Sequence, residues 1–298
     1  MVRIVSLNLP ICCWDVGAEL GEGPMWHART ETLYFVDIKN RHIFSCSANG
    51  KQRKSWDAPQ QPGFIVPTSG ADFVCALEDG LYRFSSQTAD FTLIRHVEKG
   101  LPNNRFNDGY VDSKGGLWFG SMDDREMYST GALYYLRHPG LGGQVQLADR
   151  DYVITNGPTT NPDGTILYHT DTLKKEIYAF DVTPDSTLSN KRIFTSIRGS
   201  GYPDGMAVDS EGCVWIALFG GGRIERYSPG GELIATVYFP CSNITKLTFG
   251  GADLCSVFVT TARKGLSPRQ LAAEPLAGAL FTFRTAVPGL PQHEFLLD

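Results

Sequence analysis

No run of eighteen apolar residues occurs in the chain, so no stretch reads as a helix that crosses a bilayer, and no membrane partner is expected. Positive charge is not in excess either. With 27 Lys and Arg against 32 Asp and Glu, the net charge of -5 leaves no electrostatic footprint for nucleic acid. Cysteines are few and unpaired in pattern: the seven, at 12, 13, 46, 75, 213, 241 and 255, show neither a disulfide framework nor a zinc spacing. They read as reduced thiols packed as small hydrophobes in a cytoplasmic protein. The stretch MVRIVSLNLPICCW has one basic residue and an apolar part broken by Asn8 and Pro10, a poor secretory signal. Without a secretory context, the sequon Asn243-Ile244-Thr245 is read as chance.

Motifs of common enzyme classes are missing as well. There is no nucleophile elbow and no Walker loop, which argues against serine-hydrolase and nucleotide chemistry. The glycines at 220–222 lack the strand-to-helix context of a phosphate loop and read as a turn. The histidines, at 27, 42, 96, 138, 169 and 293, have no ligand spacing, and His169 reads as a strand residue. Clean helical periodicity over a dozen residues is absent, which excludes an α/β barrel; a turn or two of helix is expected only at Ser267–Leu276.

What the chain does have is a repeat. GYPDGMAVDSEGCVWIALFGGGRIERYSPGGE, residues 201–232, alternates short apolar runs with Gly-rich turns, and its centre recurs in NPDGTILYHTDT and DSKGGLWFGSMD. Weaker copies begin at Ala28, Ser69 and Gly251. The apolar centres Leu33, Val74, Leu117, Leu167, Val214 and Val257 are spaced by 41, 43, 50, 47 and 43 residues. Short strands repeating at this period predict an all-β fold, a six-bladed β-propeller in one domain over residues 1–298. Blade one is expected over 21–49, with later blades ending near 97, 137, 182 and 239. A first strand around Cys12–Ala18 has no partner of its own and is expected to close the last blade.

Residues of equal phase in a ring of blades lie at one height around one axis. Ten or eleven positions before the apolar centres stand Glu22, Asn107, Asn156 and Asp204, in the Gly-containing segments GEGP, NDG, NGP and PDGM. Taken singly, these are turn dipeptides. Taken together, they place two carboxylates and two carboxamides at one mouth of the central channel. Blade two breaks the phase with Gly63 and Phe64, and blade six offers Lys246, either to reach a substrate or to neutralise the acidic mouth. Clustered carboxylates repel and are costly to desolvate unless a cation sits between them. Oxygen-only ligands suit Ca²⁺, Mg²⁺ or Mn²⁺ and do not exclude Fe(II) or Zn²⁺.

GEGPMW, NNRFNDGYVD, ITNGP and YPDGMAVDSEG, in this order, resemble the signatures of the family of gluconolactonases, senescence marker protein and luciferin-regenerating enzyme. FVDIKNRHI, YHTDTLKKEIYAFD, TKLTFGG and FVTTARKGLS are similar to bacterial sugar lactonases such as xylonolactonase. The resemblance implies one divalent metal ion on Glu22, Asn156 and Asp204, and contacts to substrate hydroxyls from Arg105 and Asn107. Asp123, Asp124 and Arg125 stand where relatives vary, and Asp123 is placed with the substrate contacts. The implied activity is metal-dependent hydrolysis of a sugar aldonolactone to its acid, with Asp204 as catalytic residue acting on the attacking water and Asp123 or Asp124 as an alternative base. The expected partner is a small-molecule sugar lactone, and the expected state a monomer or weak oligomer. A Ca²⁺-dependent phosphotriesterase or arylesterase on the same fold, and a non-catalytic interaction platform, stay open as alternatives.

Overall fold

The computed structural model describes residues 9–137 and 143–297; His138 and the first eight residues of the N-terminal stretch lie outside them. Among the described residues, twenty-four strands form six four-stranded antiparallel sheets. Innermost in the blades, in chain order, are Gly21–His27, Phe64–Pro67, Asn104–Val111, Thr155–Thr160, Tyr202–Val208 and Ile244–Gly250. Each touches the innermost strands on either side, so the six close a ring around an axis. The apolar centres Leu33, Val74, Leu117, Leu167, Val214 and Val257 all fall on the second strand of their blades and are completely buried. There each packs between sheets, which explains why the repeat shows most clearly at that strand.

Ring closure follows the expectation. Ile11–Trp14 pairs antiparallel with Leu280–Arg284 and supplies the outer strand of blade six, so the first and last segments of the chain share one sheet. The blades extend further than their apolar runs. Lys54–Asp57, Val145–Tyr152 and Leu188–Ser196 are fourth strands of blades one, three and four, beyond the expected limits at 49, 137 and 182. These outer strands are half exposed and carry few apolar residues in sequence, so periodicity does not mark them.

The repeated segments DSKGGLW and DSEGCVW have a common local cause. Asp112 Oδ1 accepts from the N–H groups of Lys114 and Gly116 at 2.9 and 3.0 Å, while its Oδ2 accepts from Trp118 Nε1 at 3.0 Å. Asp209 does the same with Glu211, Cys213 and Trp215, at 3.0, 3.0 and 2.8 Å. One carboxylate thus shapes the turn and fixes the indole that fills the space between blades. Asp209, Glu211 and Cys213 lie together, but Asp209 and Glu211 are already paired with Arg226.

A helix occurs at Pro268–Ala273, inside the expected window, with Ser267 and Gln270 forming a reciprocal cap. Among the described residues no helix is long and apolar enough to cross a membrane, and the cysteines are all free thiols. Beyond Arg284 the chain crosses one end of the ring. Ser210 donates to the Pro288 carbonyl at 2.9 Å, Gly289 to Leu254 at 2.9 Å, and Phe295 to Pro67 at 2.9 Å, tying blades five, six and two. The channel at that end is reduced to an enclosed space of about 50 Å³.

Two stability predictions follow from this packing. Deleting residues 1–16 removes the strand that closes the ring, and should cost cooperative unfolding in calorimetry; a truncated protein with an unchanged transition would exclude the closing role. His169 is fully buried, and burial depresses its pKa to about 3. The unfolded chain therefore takes up a proton near pH 6.5 that the folded protein refuses, so this contribution to stability is lost as the pH falls below that value. At about pH 5 the loss should reach about 2 kcal/mol. Urea unfolding of wild type and His169→Phe checks this: the variant should lose less stability between neutral and mildly acid pH.

Candidate active site

Glu22, Asn107, Asn156 and Asp204 all lie on innermost strands, and the strand pairing is irregular at each. The register shifts between Glu22 and Met25, Phe106 and Asp108, Asn156 and Thr159, and Pro203 and Met206. These Gly-containing segments are β-bulges within strands, where the sequence suggested turns between them. A bulge adds a residue to one strand and re-aims its side chain, here toward the axis. Blade two pairs regularly through Phe64–Pro67. A Cβ on its Gly63 would meet the Phe106 carbonyl oxygen at 2.3 Å, and one on Gly109 would meet the Phe64 ring at 2.6 Å. Blade two therefore contributes close apolar packing where the others contribute polar groups.

The four residues meet, together with Arg105, on one cavity of about 380 Å³. Leu20, Met122, Ile154, Tyr202 and Phe219 supply apolar wall. Glu22 and Asp204 are only 3% and 6% exposed, and are close enough for one carboxyl to hydrogen-bond the other. Burial, then Asp108, pushes the Glu22 carboxyl up to about 7, against the pull of Lys246. Burial, then Glu22 and Asp108, raises Asp204 well above the usual carboxylate range. Two buried carboxyl groups that cannot easily both ionise, beside an amide oxygen, form an all-oxygen donor set that fits a hard divalent cation. Glu22, Asn156 and Asp204 are the residues that would hold it.

The amides are oriented by a chain of hydrogen bonds. Asn156 Nδ2 donates to Thr172 Oγ1 at 3.0 Å, and Asn156 Oδ1 accepts from Asn107 Nδ2 at 2.9 Å. Asn107 Oδ1 accepts from Arg105 Nη1 at 2.6 Å, and Arg105 Nε donates to Asp124 Oδ1 at 2.6 Å. Lys39 binds the same Asp124 oxygen at 2.6 Å. Against the effect of burial, Lys39 and Arg105 hold the Asp124 carboxyl below its ordinary range. These bonds, with a further one from Nη1 to the Phe106 carbonyl at 3.1 Å, fix the Arg105 guanidinium in the cavity wall.

Two of the expected contacts lie elsewhere. Asp123 is 1% exposed and does not line the cavity. Its Oδ2 accepts from the N–H groups of Met127 and Tyr128 at 3.0 and 3.1 Å, and those bonds outweigh burial and lower its pKa. It shapes the loop after the second strand of blade three. That loop carries Glu126, in a left-handed conformation with φ of 58°, to an ion pair with Lys264 of blade six across the cavity mouth. Lys246 lies beneath the site, its ammonium on Asp108, and lines the small enclosed space instead. Asp108, Glu126 and Lys264 were not among the residues expected from phase. Asp108 follows Asn107 directly and is hidden as the Asp of an Asp-Gly pair; the two mouth residues lie in loops outside the repeat.

A six-bladed ring that gathers buried oxygen donors at one end of its axis defines a propeller with a polar cavity on that axis. The chain belongs to the SMP-30/Gluconolactonase/LRE-like family, whose model matches residues 20–263. It is 31% identical to 6-deoxy-6-sulfogluconolactonase of Pseudomonas putida over 93% of this chain and 94% of that one. With L-arabinolactonase of Azospirillum brasilense it shares 33% identity over 94% and 93% of the two chains. The crystal structure of regucalcin from Agrobacterium tumefaciens, described as a calcium-binding protein, superposes with a TM-score of 0.93 at 26% identity, covering 99% of both chains.

Because Asp123 holds the Met127 and Tyr128 N–H groups, Asp123→Ala should loosen the loop that bears Glu126. Hydrogen exchange at residues 124–130 should speed up while the blades stay protected. Unchanged exchange in that loop would remove the anchoring role.

Proposed function

We propose that this chain hydrolyses a sugar aldonolactone to the aldonic acid, with a pentonolactone of the xylonolactone kind as the favoured substrate and one divalent metal ion as cofactor. The observation that carries this reading is the convergence of Glu22, Asn156 and Asp204 with Arg105 and Asn107 on one cavity. Family membership supports lactone hydrolysis as the reaction class, and the L-arabinolactonase relative supports a five-carbon sugar. The calcium-binding regucalcin makes Ca²⁺ the first ion to test.

A divalent ion bound by Glu22, Asn156 and Asp204 supplies Lewis-acid polarisation of the lactone carbonyl. The chain's own groups do the rest. Arg105, braced by Asp124 and Asn107, directs donors at ring hydroxyl oxygens and holds the sugar in one orientation. Asn107 and Thr172 also fix the orientation of the Asn156 amide at the cavity. Asp204 takes a proton from the attacking water as the new C–O bond forms at the carbonyl carbon. When the ring C–O bond breaks, that proton goes to the departing ring oxygen, which becomes a hydroxyl. Asp123 and Asp124 are poor alternatives for this role: their carboxyl groups are held below the usual range by N–H donors and by cations respectively. The apolar wall limits the water around the reacting carbonyl, which strengthens each of these polar contacts.

Acid release from fresh pentono- and hexonolactones, against an enzyme-free blank, tests the reading. Metal-stripped protein should be inactive and recover when the ion is restored. Asp204→Asn should cut kcat by about a hundredfold or more, whereas Asn107→Ala should act mainly on KM. No acceleration with any lactone and any ion would sink the proposal, and full activity in Asp204→Asn would remove the role given to that residue.

A further inference from the structure

The buried ion pair of Asp108 and Lys246 is not needed to line the cavity, yet it sits directly under the site. Lys246, 8% exposed, belongs to blade six, and Asp108, 1% exposed, to blade three, its opposite in the ring. The lysine stem crosses Gly205, the residue after Asp204, so closely that a Cβ there would meet Lys246 Cγ at 2.4 Å. Gly205 has no left-handed backbone to explain it; it is glycine because the lysine passes over it. At the far end, Asp108 Oδ1 also accepts from Gly109 N and Oδ2 from Gly157 N, both at 2.8 Å. Gly157 follows Asn156. One ion pair therefore braces the bulges that carry Asn107, Asn156 and Asp204, from a position they share.

Glu22, Asp108 and Asp204 bring three carboxyl groups against the single ammonium of Lys246. Of the other cations nearby, Lys264 is paired with Glu126, and Arg105 shares Asp124 with Lys39. The floor of the site therefore carries an excess of negative charge when fully ionised, which a bound cation would reduce. Removing Lys246 would raise that excess by one charge, and removing Asp108 would lower it by one.

We propose that Asp108 and Lys246 are a fixed internal charge pair that sets how tightly Glu22, Asn156 and Asp204 hold a single divalent cation. The inference rests on the reading that those three residues bind one. Both are positioning residues, since they act on the ion and the substrate through the ligands. In a poorly hydrated site, removing either charge changes the field at the ligands with opposite sign, whereas a purely structural brace would weaken binding whichever end was removed.

Calorimetric titration of chelator-stripped full-length protein with Ca²⁺, and separately with Mn²⁺, reads this without any turnover. Lys246→Met should bind at least about tenfold more tightly than wild type and Asp108→Asn at least about tenfold more weakly, with the double variant returning to near wild type. Melting of each metal-free variant reports folding. Weaker binding in both single variants, or no change in either, would overturn the charge role. If Asp108→Asn does not fold, the sign of the Lys246→Met effect decides, with Lys246→Gln as its second form. Wild-type protein that binds neither ion would instead sink the metal reading itself, a result distinct from a failure of the charge pair.

Discussion

Everything at the working end of this ring depends on bringing carboxyl groups into a place that water hardly reaches. Burial alone makes an ionised carboxylate expensive, and a second one beside it more so. Glu22 and Asp204 meet both conditions: burial and Asp108 raise the pKa of Glu22, and burial, Glu22 and Asp108 raise that of Asp204. Such an arrangement survives only if the fold over-determines it. Here the fold does so through closure: the first strand completes the last blade, and no blade can move outward to relieve the repulsion without opening the ring.

Closure also explains how the site is held at two levels. Blades three and six are opposite one another, and two ion pairs join them across the axis. Asp108–Lys246 lies beneath Asn107, Asn156 and Asp204, buried and hydrogen-bonded to glycine N–H groups; Glu126–Lys264 lies on the cavity, about a third exposed at each side chain. Their energetic character differs with that exposure. A buried, fully hydrogen-bonded pair is costly to break because it leaves a charge without a partner. An ion pair open to solvent and salt contributes little, about 1 kcal/mol or less, and opens readily. The floor is therefore held more firmly than the bar across the mouth.

The sequence made the ring legible because the second strand of every blade is buried on both faces, and its apolar run repeats at a nearly constant spacing. It made the cavity's polar residues legible because equal phase becomes equal height around an axis. Glu22, Asn107, Asn156 and Asp204 come together in the cavity for that reason. The outer strands were not legible: Leu188–Ser196 carries mostly half-exposed residues, and its pairing comes from its neighbour rather than from its own pattern. Nor were the bulges. A Gly beside Asp or Asn reads as a turn in one dimension, and only the register of the adjacent strand reveals that the chain continues in extended form.

Asp123 and Lys246 show where phase stops being informative. Both are polar, both stand near the ligand positions, and both point to something other than the cavity. Asp123 satisfies N–H groups of its own loop, a local bond that a nearby Asp makes whether or not a substrate exists. Lys246 has the right phase, but the bulge between Ile244 and Lys246 and the absence of a side chain at Gly205 let its stem run underneath Asp204 to Asp108. A residue's height in the ring thus follows from its place in the repeat, while its direction follows from which neighbouring blade leaves room for it. In this protein the room is made by glycines, at 63, 109 and 205, whose missing side chains admit a carbonyl, an aromatic ring and a lysine stem. The pattern that looked like turn chemistry in the sequence is the packing record of an axis where six strands approach each other more closely than ordinary side chains allow.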